Sequence, residues 1–118
     1  MKPEIKEITR TWKEPQEYSK DCLSFSLGEN RILLVKDSDY SRTWDIHFEF
    51  SHGASEDIRD QLVKSITEYI KPGEYLTSCG YMSWEDFQVF KKFIGPWEDT
   101  GMIRVLRDNI YLPILKRK

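Results

Sequence analysis

The sequence predicts an α+β fold, an antiparallel or mixed β-sheet with two α-helices packed on one face, in the order β-β-β-α-β-α-β-β. Three observations predict it. Trp44, Ile46, Phe48 and Phe50 alternate with Asp45, His47 and Glu49, the period of two expected of a strand buried on one face. Ile58, Leu62, Val63, Ile66, Tyr69 and Ile70 gather on one side of a helical wheel whose remainder is mostly polar. Short apolar runs bounded by turn residues flank the helical stretches, which groups strands and helices as α+β folds do.

The first 20 residues are charged and punctuated by Pro3 and Pro15. They predict an extended arm with an edge strand around Ile8 to Trp12. Leu23, Phe25 and Leu27 then alternate with Ser24 and Ser26, and Gly28, Glu29 and Asn30 supply turn chemistry before the apolar run Ile32 to Val35. This reads as a hairpin with a three-residue loop. The polar link KDSDYSR leads into the Trp44 to Phe50 strand and completes a three-strand meander.

Ser55 opens the first helix, with Glu56 and Asp57 in the first turn, where the helix dipole favours negative charge. The helix stops at Lys71, because Pro72 and Gly73 cannot continue it. A short strand from Tyr75 to about Gly80 follows. Ser83 caps a second helix, with Asp86 at the capping-box position, and Gly95 and Pro96 end it. The loop GPWEDTG leads to a hairpin, MIRVLR and IYLPIL, turned at Asp108 and Asn109, and Pro113 predicts that the last strand lies at an edge.

At 118 residues the chain reads as one domain, long enough to bury a core without metal or disulfide. The formal charge is −2 and the sequence pI about 5.7. A nucleic-acid binder is expected to carry a basic excess, so direct nucleic-acid binding is not the expectation. The acidic excess sits in residues 1–59, with twelve Asp and Glu against nine Lys and Arg. No run approaches the roughly 18 apolar residues of a membrane span, and the start lacks the apolar stretch of a secretory signal. Cys22 and Cys79 match no metal or haem spacing. A cytoplasmic protein with two free thiols and no cofactor is expected. There is no P-loop, no GxGxxG and no GxSxG.

Three groups of residues are candidates for function. His47, Glu49 and His52 form an H-x-E-x-x-H arrangement in which His47 and Glu49 share a strand face and His52 arrives from the turn. Such a trio suits an acid/base pair or a zinc ion with an open position. The same pattern also describes the solvated polar face of an antiparallel sheet. The second group is acidic, Asp37, Asp39, Asp45, Glu49, Glu56, Asp57 and Asp60, with Tyr40 and Trp44 interleaved. Brought together, these would attract a basic surface and speed association with it. The third is aromatic. Trp84 projects among polar residues of the second helix and Trp97 lies in a loop, and exposed Trp and Tyr are common anchors of protein interfaces. Arg59 falls within the apolar arc of the first helix, so it either lays its stem over the core edge or reaches Asp45, Glu49 or an anion.

Together these features lead to the expectation of a small protein-binding module that inhibits another protein one to one. An immunity protein neutralising a toxin, or a phage anti-defence protein, has this character. Asp37, Asp39, Glu56, Asp57 and Asp60 would steer a basic partner, and Tyr40, Trp84 and Trp97 would anchor it. The alternatives are a small hydrolase or nuclease built on His47, Glu49 and His52, and an accessory subunit of a larger assembly.

Overall fold

The computed structural model describes residues 2–13, 16–37, 40–78, 96–105 and 111–118. The elements are β1 (Glu4–Trp12), β2 (Tyr18–Leu27), β3 (Asn30–Lys36), β4 (Thr43–Glu49), α1 (Glu56–Tyr69), β5 (Tyr75–Ser78), β6 (Trp97–Val105) and β7 (Tyr111–Arg117). All seven strands join one sheet in the order β1-β2-β3-β4-β5-β7-β6. Only β4 and β5 pair in parallel; the other pairs are antiparallel. The fold is α+β with a mixed sheet. The parallel pair follows from α1, because two parallel neighbours need a long crossover and a helix supplies it.

The observed order departs from the expected one in four places. The N-terminal arm is a full edge strand, β1, paired with β2 over nine residues from Glu4↔Ser26 to Trp12↔Tyr18. The β2–β3 loop has two residues rather than three, because Leu27 pairs with Asn30 and Gly28 takes a φ of 60° at the first turn position. The GPWEDTG loop is largely strand: β6 starts at Trp97, with a register irregularity between Asp99 and Ile103 where Gly101 adopts a φ of 72°. Finally, β7 is not an edge, because it lies between β5 and β6. Pro113 is tolerated there since the β5 pairing covers only Leu115 and Lys116 among the described residues. The expected second helix over 83–94 and the turn at Asp108 and Asn109 lie outside the described residues.

Helix α1 packs on the face formed by Phe25, Leu27, Ile32, Leu34, Ile46, Leu76 and Leu115, into which it inserts Leu62, Val63, Ile66 and Ile70. Ser55 caps it by accepting from the Ile58 N–H at 3.2 Å. No helix among the described residues is long and apolar enough to cross a membrane.

The opposite face carries a smaller core of Cys22, Leu33 and Val35, covered by Ile8 and Trp12 of β1. In a flat sheet β1 and β4 would lie about 14 Å apart, three strand spacings. Yet Arg10 and Trp12 of β1 touch Glu49 and His47 of β4. The sheet therefore curls, and the β1–β2 hairpin folds across the face away from the helix.

Candidate functional site

The strand β4 displays His47 and Glu49 on the curled face, where the hairpin reaches them. Glu49 accepts from Arg10 Nε at 3.2 Å and Nη2 at 2.9 Å, and from Arg31 Nε at 2.6 Å. The remaining Arg10 nitrogen, Nη1, donates to the Thr11 carbonyl. Burial pushes the Glu49 carboxyl up, but the two guanidinium groups outweigh it and hold the carboxyl below its ordinary range. His47 Nε2 stands 3.7 Å from Glu49 Oε2, and the Trp12 ring meets the imidazole edge to face at 5.8 Å. Burial lowers the His47 pKa; Glu49 pulls it up, and Arg10 and Arg31 push it down again. At neutral pH this is an ionised carboxylate between two arginines beside a neutral imidazole.

That arrangement is poor acid/base equipment. A carboxylate with a lowered pKa and its oxygens engaged by two arginines is a weak base. His52 lies exposed in the turn beyond the strand, and among the described residues no three His, Cys, Asp or Glu side chains are placed to hold a metal ion. The H-x-E-x-x-H spacing is thus not assembled into one centre. What His47 and Glu49 do is clamp the hairpin across the sheet. Cys22 belongs to β2 of that hairpin and is buried in the small core; burial raises its thiol pKa and its Sγ donates to the Lys20 carbonyl at 3.4 Å, so it is not an activated nucleophile.

The acidic residues among those described do not converge. Asp37 is buried at 8% exposure, and its Oδ1 accepts from the Tyr40 N–H at 3.1 Å, which makes it a fastener of the β3–β4 loop. Tyr40 is 60% exposed at the tip of the same loop. Glu56, Asp57 and Asp60 start α1, which follows the far end of β4, so the length of that strand, about 20 Å, separates them from Tyr40. Asp45 is buried on the curled face, opposite Thr77. Asp39 and Trp84 lie outside the described residues.

Trp97 is corrected from loop anchor to core residue. It is 8% exposed, packs in the main core and donates from Nε1 to Thr67 Oγ1 at 2.9 Å. Strand β6 explains this, because pairing with Arg117 turns the Trp97 ring under α1. Arg59 holds neither Asp45 nor Glu49. Asp45 faces away from the helix, Glu49 is held by arginines, and the Arg59 guanidinium lies 5.2 Å over the Phe50 ring.

Rings do gather at one end of the sheet. There β4 begins, α1 ends and β5 begins, which brings Tyr40, Trp44, Tyr69 and Tyr75 to the same end, whereas the curled hairpin carries Trp12 and Tyr18 over the opposite face to His47. Trp12 stacks on Tyr18 at 5.3 Å, and Trp44 meets Tyr69 at 6.1 Å. Trp44 Nε1 donates to Glu74 Oε2 at 3.2 Å, which fixes the indole. Tyr18, Tyr40 and Tyr69 remain 44%, 60% and 42% exposed. Of these, the sequence pointed only to Tyr40. Tyr69 sits in the apolar arc of α1 and reads as core, and only its place as the last residue of the helix marks it as exposed. Tyr18 was legible as a ring stranded among polar residues.

No protein-family model, curated protein or solved structure matches the chain.

Proposed function

We propose that the chain is a protein-binding module that inhibits its partner by forming a stoichiometric complex, and that it binds through the aromatic end of its sheet. One observation carries the reading: Tyr40 and Tyr69 are left exposed at the same end, 60% and 42%. Exposed tyrosines set beside fixed rings bury large area on docking at little entropic cost, which is how interface anchors work. Backbone hydrogen bonds hold the loop that carries Tyr40 on both sides. Asp37 N–H donates to the Thr43 carbonyl at 3.0 Å, and Tyr75 N–H donates to the Arg42 carbonyl at 2.8 Å. Compared with a purely acidic steering surface, this end offers rings first and charges of both signs second.

The test is capture of a partner from lysate of the native cell by the full chain, compared with the Tyr40→Ala and Tyr69→Ala variants. A partner recovered near one to one, and weakened about tenfold or more by Tyr40→Ala with the fold intact, supports the reading. A partner held equally well by both variants overturns it.

A further inference from the structure

Beside the aromatic end, on the helix side of the sheet, lies an open groove of about 600 Å³. Its floor is Leu23 and its walls are Glu7 and Asp21 on one side and Trp44 and Tyr69 on the other, with Lys36 near Trp44. Building on the protein-binding reading above, we infer that this groove takes an arginine side chain of the partner.

Four features of the groove argue for a cation with an apolar stem. Glu7 and Asp21 place two carboxylates along one wall, and the Thr9 hydroxyl, donating at 2.8 Å, fixes Asp21. The facing wall offers ring faces held in place, since Trp44 is pinned by Glu74 and Tyr69 rests against Phe25 at 5.4 Å. Leu23 gives the methylene stem an apolar bed. Most tellingly, the chain already puts a cation of its own on this wall: Lys36 Nζ lies 5.6 Å over the Trp44 ring. That ammonium leaves the groove with two formal negative charges against one positive.

Arginine fits better than lysine. Its planar guanidinium stacks on a ring while forking onto a carboxylate, and it is more weakly hydrated than an ammonium, so entry costs less desolvation. The first turn of α1 is also acidic, with Glu56 and Asp57, and both are exposed. It therefore serves as the internal control for attraction by charge alone.

The experiment titrates the isotope-labelled full chain with a blocked four-arginine peptide at low salt and follows it by NMR, with a four-glutamine peptide alongside. The expected result is saturable shifts at the Trp44 indole N–H and the Leu23 methyls with the arginine peptide only. The double variant Glu7→Gln, Asp21→Asn should weaken that binding about threefold to tenfold, and Lys36→Gln should tighten it about twofold. Shifts confined to the start of α1, shifts spread without saturation, no shifts, or indifference to the double variant would each overturn the inference. The outcome is separable from the broader reading, because Tyr40 does not line the groove. Partner capture that depends on Tyr40 without groove binding sinks only the arginine pocket. Groove binding with capture indifferent to Tyr40 and Tyr69 sinks the aromatic-end reading instead.

Discussion

At the scale of single residues, Glu49 is where the sheet's curl is secured. Replacing it by Gln keeps the shape but removes the charge that Arg10 and Arg31 satisfy. Hydrogen bonds to charged groups contribute about 1.5–3 kcal/mol, so Glu49→Gln should lower unfolding stability by about that much, read by urea denaturation. The pH dependence has a definite sign. The folded Glu49 carboxyl is held below its ordinary value, so the unfolded chain takes up the proton first as pH falls. Its stabilisation is complete above about pH 4.3 and is lost as pH falls through the lower folded value. His47 obeys the same logic higher up, because its folded pKa is also depressed. Its share is complete above about pH 6.5 and is lost as pH falls from there through the folded value. Urea midpoints measured against pH should therefore drop below about pH 6.5, and His47→Gln should flatten that limb. An unchanged limb in the variant would mean that other groups produce it.

At the scale of elements, α1 is joined to the C-terminal hairpin by one relay. Trp97 Nε1 donates to Thr67 Oγ1, Thr67 Oγ1 donates to the Val63 carbonyl at 2.9 Å, and Arg117 Nε donates to the Thr67 carbonyl at 2.9 Å. Thr67→Val preserves the packing volume but removes the Thr67 acceptor of the buried indole N–H, which should cost about 1–3 kcal/mol. Trp97→Ala removes the ring as well and should cost about 3–5 kcal/mol. If denaturation gave the two variants equal losses, the hydrogen bond rather than the ring would dominate the joint. The helix start makes a separate contribution: Ser55→Ala should lower stability by about 1 kcal/mol through the lost N-cap, without altering the aromatic end.

At the scale of the whole molecule, the sheet has two differently covered faces. The helix closes one, and the curled β1–β2 hairpin closes the other, burying its own Cys22 with Leu33 and Val35 of β3 beneath Ile8 and Trp12. Access to Cys22 therefore reports on opening of the hairpin. Trp12→Ala, made in a Cys79→Ser background, should raise the rate of Cys22 labelling by a thiol reagent on the order of tenfold, equivalent to about 1.4 kcal/mol of lost closure. No change in rate would show that the Trp12 ring does not hold the hairpin down.

Much of the chain's local structure was legible from residue order alone. The period of two at Trp44 to Phe50, the apolar arc from Ile58 to Ile70, the Ser55 cap and the Pro72–Gly73 stop are all set within a few residues; the strand is found one residue earlier, at Thr43–Glu49, and the helix ends at Tyr69, two residues before Lys71. Pairing was not legible in the same way. Trp97 and Pro113 were misread because strand order is a non-local property: a ring in GPWEDTG is exposed in a loop but buried once it pairs beneath a helix. The candidate site divides along the same line. That His47 and Glu49 share a face is dictated by strand geometry, whereas their capture by Arg10 and Arg31 depends on how far the sheet curls. The sequence by itself determined the α+β class, the helix and its ends, and the period of each buried face, because these follow from short-range sterics and amphipathic spacing. Only the tertiary structure decided that the described acidic residues stay apart, that Trp97 is core, and that tyrosines distant in sequence share one end, because strand order and curl are fixed by contacts between segments far apart in the chain.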